Sequence, residues 1–125
     1  MWIFNQDGFF SVVQHRDDPE MLMIKARNRA HLERVAAWTR ANFMPNLEIV
    51  ELEESDYIVR ANISKIRWAQ YLTQRTMELD YDSVKEPIME RTDPELGHAM
   101  FDVWDRMMRY QREIHVGSAS EYGFF

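Results

Sequence analysis

The succession of apolar and polar residues divides the chain into short segments. Trp2-Ile3-Phe4-Asn5 is an apolar run closed by Asp7-Gly8, a hairpin signal because glycine tolerates positive φ. Phe9 to His15, rich in β-branched and aromatic residues, reads as a strand. The polar turn Arg16 to Glu20 follows, and Met21 to Arg27 is a further apolar strand. Asn28 caps a helix in which Leu32, Val35, Ala36, Thr39 and Phe43 share one stripe, and Pro45 ends it. Leu47 to Glu53 alternates as a half-wet strand, Glu54-Ser55-Asp56 turns the chain, and Tyr57 to Ile63 is another strand. Ser64 caps a second helix with Trp68, Ala69, Leu72, Thr76 and Leu79 on one side. Pro87 interrupts any helix in the next stretch. Thr92-Asp93-Pro94-Glu95 then starts a helix with the cleanest stripe in the chain: Leu96, Ala99, Met100, Val103, Trp104, Met107 and Met108.

The order β-β-β-α-β-β-α-α predicts an α+β fold, an antiparallel sheet of four or five strands with helices packed on it as a two-layer sandwich. Residues 21–80 make most of a ferredoxin-like split βαβ unit. The preceding hairpin, residues 9–27, can supply the fourth strand from the other end of the chain, which makes the arrangement a permuted one. A single domain over residues 1–115 is expected, with 116–125 a flexible tail ending in aromatic residues. The second face of the sheet needs cover, from the last helix or from a second subunit.

Composition narrows the function classes. The 125 residues contain no cysteine, so disulfide scaffolds, thiolate metal sites and cysteine nucleophiles are excluded. No apolar stretch approaches the about 18 residues of a membrane span. Met1 to Asp7 lacks the basic start of a signal peptide, so a soluble cytoplasmic protein is expected. Fifteen Lys+Arg against 21 Asp+Glu give a formal charge of −6, the wrong sign for the basic footprint of a nucleic-acid binder. The acidic stretches Glu48 to Asp56 and Glu78 to Glu95 are solvated faces, or a surface for a basic partner that imitates nucleic acid.

Trp2-Ile3-Phe4, Gly8-Phe9-Phe10-Ser11-Val12-Val13, Ile24-Lys25-Ala26-Arg27, Asp56-Tyr57, Tyr81-Asp82-Ser83-Val84-Lys85 and Val103-Trp104 occur in that order. Together they resemble a family of small uncharacterised bacterial proteins, of the kind that phages also carry. The resemblance covers residues 2–108 and rests on the combination of short motifs. That family has no established activity, cofactor or catalytic residue, so the resemblance implies none. The stretch from Pro87 to Pro94 departs from it, being less continuously helical after Lys85.

Few residues carry candidate chemistry. Tyr81-Asp82-x-x-Lys85 sets a phenol, a carboxylate and an amine within one turn, with Lys85 suited to neutralise an anion; the plain alternative is a cap and a surface ion pair. His98, Asp102 and Asp105 share one helix face, but so generic a set reads as polar surface, and no metal or other cofactor is expected. Arg27, Arg60 and Tyr57 make a platform for a carboxylate, phosphate or acidic peptide if all three point off one open sheet face; salt bridges to Glu51–Glu54 are the alternative. Trp104, with nine methionines and four tryptophans in the chain, marks the last helix as partner-facing or as plain core.

These features predict a non-enzymatic protein-interaction module, homodimeric through its sheet or its last helix, acting as a phage or mobile-element accessory factor on a host protein. The other class is a small nucleic-acid- or nucleotide-acting enzyme with Asp56, Asp82 and Lys85 as its polar centre. It lacks a spaced acid–base constellation.

Overall fold

The computed structural model describes residues 1–80, 82 and 93–122. The elements follow the predicted order: β1 (Trp2–Asn5), β2 (Gly8–Gln14), β3 (Met21–Ala26), α1 (Arg29–Ala41), β4 (Val50–Glu51), β5 (Val59–Ser64), α2 (Lys65–Met77) and α3 (Pro94–Tyr122). The five strands form one sheet in the order β1-β2-β3-β5-β4, every neighbouring pair antiparallel. The fold is α+β, as expected.

Register decides the two faces, because side chains alternate along a strand. Phe10, Val12, Ile24, Ala26, Val59, Ala61 and Ile63 point to one side. There they meet Leu32, Val35 and Trp38 of α1 and Trp68 and Tyr71 of α2, the main core. The opposite side carries Trp2, Phe4, Phe9, Ser11, Val13, Lys25, Arg60 and Asn62. α3 begins over one end of that second face.

Helix ends are fixed locally. The Asn28 side chain accepts the Ala30 N–H and Ser64 accepts that of Arg67, as their sequence positions predict. α1 ends before Pro45. The Phe43 N–H donates to Arg40 O at 3.2 Å and the Met44 N–H to Thr39 O at 2.9 Å, closing a Schellman turn. Phe43 takes the left-handed position of that turn (φ 57) and is 99% exposed, so it leaves the core stripe assigned to it.

Three further differences have physical causes. The strand expected over Leu47–Glu53 pairs only at Val50–Glu51, since β5 begins at Val59 and the chain between them turns. Leu47 and Ile49 still pack against the core as irregular chain. The α2 stripe runs through Trp68, Tyr71 and Leu72, while Ala69, Thr76 and Leu79 are exposed. Tyr71 displaces them because its hydroxyl finds partners in the interior. The last helix continues to Tyr122, past the Val116 where the sequence reading begins a tail.

Candidate functional site

α3 is fastened to the sheet by its first turn. Asp93 caps it, Oδ1 accepting the Leu96 N–H at 2.7 Å. Oδ2 of the same carboxylate lies 3.0 Å from His31 Nε2 and 3.5 Å from Asn28 Nδ2, so the starts of α1 and α3 meet there. His31 is 4% exposed, and its Nδ1 accepts the Phe9 N–H at 3.3 Å. The proton therefore sits on Nε2 and is donated to Asp93. With both ring nitrogens engaged, the His31 imidazole has no lone pair to offer a substrate, and the His–Asp pair acts as a clamp. Burial works against the Asp93 charge, but the Leu96 N–H and His31 outweigh it and hold the carboxyl below its ordinary value.

Two hollows flank the clamp. An open cleft of about 600 Å³ is lined by Arg27, Asn28, His31, Arg34, Asp93 and Glu95, with cations and carboxylates in near balance. Beside it an apolar hollow of about 310 Å³ lies between Trp2, Phe4 and Phe9 of the sheet and Leu96, Ala99 and Val103 of α3. Met100, on the same helix, is buried at 6% exposure. Beyond Val103, at the rim of that hollow, α3 leaves the described part of the domain. Val103, Trp104, Met107, Tyr110 and Ile114 are 44 to 54% exposed, though they continue the stripe that Leu96 and Met100 began. A shallow groove of Trp104, Met107, Met108, Tyr110 and Ile114 runs along the helix.

A second buried cluster was not foreseen. The Tyr71 hydroxyl donates to Asp7 Oδ2 at 2.5 Å, Arg75 Nε donates to the same oxygen at 2.8 Å, and Asn5 Nδ2 donates to Tyr71 at 3.0 Å. It ties the β1–β2 turn to α2. Asp7 reads as turn chemistry in the sequence, and the one available signal was Tyr71 and Arg75 sharing a face one turn apart.

Arg27 and Tyr57 come together, the guanidinium 4.4 Å from the ring centroid. Arg60 lies on the same sheet face, Nη2 donating to Ser55 Oγ at 2.8 Å and Nη1 lying 3.8 Å from Met23 Sδ, with Nε buried and without a hydrogen-bond partner. Neither arginine pairs with Glu51–Glu54; Glu51 takes Arg29 at 2.7 Å. Tyr57 is buried, so the platform offers guanidinium edges and no free aromatic face. Asp56 is engaged locally, accepting from the Tyr57 N–H at 3.0 Å and lying 3.3 Å from Ser55 Oγ. Asp82 is exposed in a bend, and Tyr81 and Lys85 lie outside the described residues. Trp104 is on the outer, half-exposed part of α3.

Among the described residues no group of three His, Asp or Glu is placed to hold a metal, and no helix is long and apolar enough to cross a membrane. Comparison with protein-family models, curated proteins and solved structures returns no match.

Proposed function

We propose that this chain is a non-enzymatic protein-interaction module that binds through the outer half of α3. The observation that carries this reading is a row of large apolar side chains, Val103 to Ile114, held in water on a helix whose first turn is firmly docked. A contiguous exposed patch of that kind marks an interaction surface, and Met and aromatic residues dominate interface cores. The resemblance to small bacterial and phage proteins fits an accessory factor directed at a host protein. The same reading treats the sheet as a permuted ferredoxin-like unit, since β5 sits between β3 and β4 while β2 takes the other side of β3.

The test compares the full chain with a Met107→Glu/Ile114→Glu variant in sedimentation velocity, alone and in host extract. Circular dichroism verifies that both fold. Loss in the variant of the complexes formed by the wild type is expected. A variant that keeps every one of them removes this surface from consideration.

A further inference from the structure

We infer that the outer half of α3 pairs with the same segment of a second copy of this chain, as an antiparallel two-helix coil. Met107 of one copy lies against Tyr110 of the other, and Val103 against Ile114. This rests on the interaction reading and deepens it by naming the partner.

Leu96, Met100, Val103, Met107, Tyr110 and Ile114 follow one another at alternating steps of four and three residues. That is the seam of a coiled coil, which stays on one side of a helix when two helices wind together. The first two layers of the seam are closed within the chain, with Met100 buried and Leu96 half-buried beside the sheet's Trp2, Phe4 and Phe9. The next four are 44 to 54% exposed, Val103 at the rim of the hollow under the sheet and Met107, Tyr110 and Ile114 beyond it. One continuous seam is thus half covered, and the cover for the rest must be apolar and helix-shaped.

The charges beside the seam select a second copy and an orientation. Arg106 and Glu113 lie on the same edge, seven residues apart. Within one chain they barely meet, at 3.9 Å with exposures of 57% and 65%. Antiparallel pairing in the stated register sets each Arg106 beside the second copy's Glu113, twice by symmetry. Parallel pairing instead sets Arg106 beside Gln111 and stacks Tyr110 on Tyr110. It also crowds both sheets at one end, against layers already closed. Asp102, Asp105, Arg109 and Arg112 lie away from the seam, with Asp105 and Arg109 3.4 Å apart, and stay in water. Four core layers make a small interface, at or below about 1,200 Å² in total, so the pair is reversible with a dissociation constant of micromolar order.

The chain has no cysteine, so an introduced one is its only thiol. Full-length Val103→Cys and Ile114→Cys are oxidised separately and mixed, at roughly 50 µM, above the expected dissociation constant. In the antiparallel pair two copies of either cysteine are about 16 Å apart along the axis, too far to bond, whereas unlike cysteines face each other. The mixture is expected to give disulfide dimer at least about fivefold above either variant alone. Equal self-linking of each variant overturns the orientation, and no linking in any mixture overturns the self-pairing.

Sedimentation equilibrium supplies the second arm. Arg106→Glu and Glu113→Arg should each weaken the dimer by about threefold or more, and together restore it. A wild-type chain that stays monomeric at several hundred micromolar ends the proposal. If that monomer still binds a different protein in a Met107-dependent way, the interaction reading stands and only self-pairing falls. Association unaffected by Met107→Glu ends both.

Discussion

Gly8 has no room for a side chain. It opens β2 at φ +148, and a Cβ there would sit 2.2 Å from His31 Cγ. The imidazole cannot retreat, being held at one nitrogen by Phe9 and at the other by Asp93. Gly8→Ala should therefore destabilise the protein by about 2–4 kcal/mol, read as a lowered midpoint in urea. Phe43 is the opposite case, a bulky residue in the left-handed position of a Schellman turn with no packing to lose. Phe43→Gly should raise stability by about 0.5–1 kcal/mol. Tyr71 shows what burial does to a polar group. Burial, then the Asp7 charge, pushes its phenol well above the ordinary value of 10.0. The folded chain thus holds that proton more tightly than the unfolded one. The contribution is complete below pH 10 and falls away as pH rises beyond it. Tyr71→Phe should cost about 1–3 kcal/mol near neutrality, by leaving Asn5 and Asp7 short of a partner, and should flatten the alkaline limb of the stability curve. Legibility differs among these residues for a physical reason. The Asp7-Gly8 hairpin is local chemistry and shows in the sequence, while the partner that forbids a larger residue is 23 positions away.

At the scale of elements, most of the architecture was legible, because caps and periodicity are local. Asn28 and Ser64 cap their helices through their own side chains, and the eight elements among the described residues fall in the expected order. The failures lie where tertiary contact overrules pattern, as in the short β4 and the shifted α2 stripe. The junction of α3 with the domain is the element most open to a pH test. The Asp93 carboxyl sits below its ordinary 3.8 when folded, so its charged form favours the folded state. That contribution is complete above pH 3.8 and is lost as pH falls through the folded-state value. Asp93→Asn keeps the shape and removes the charge. It should cost about 1 kcal/mol at pH 6, read as a lower thermal midpoint, and the gap from wild type should narrow toward pH 3. An unchanged gap across that range would show that the Asp93 charge does not hold the junction.

Across the whole molecule, order should fall from the sheet outward. Strands β2, β3 and β5 are paired on both sides and covered by two helices, so their amides open only when the domain unfolds. Among the described residues nothing gives the outer half of α3 such cover. A helix 29 residues long reaches about 43 Å, and beyond Phe101 nearly every described residue is exposed. Helical stability in water comes mainly from packing, which the outer half of the helix lacks within the described residues. The chain's stripe from Leu96 to Met108 was visible in the sequence, but not whether it is core or interface. Periodicity marks an apolar face without saying what covers it; that is a property of how far the sheet extends. The distinction has a measurable consequence. In a dilute solution, below the dissociation constant, amides from Val103 to Ile114 should exchange orders of magnitude faster than those of β3. As concentration rises through the micromolar range, protection should appear in that segment alone, with the sheet unchanged, because the seam acquires its cover without altering the domain. Protection rising in the sheet as well would mean that its second face, through Lys25 and Arg60, forms part of the contact. Strong protection of Val103 to Ile114 at every concentration would mean that a single chain already covers its own seam.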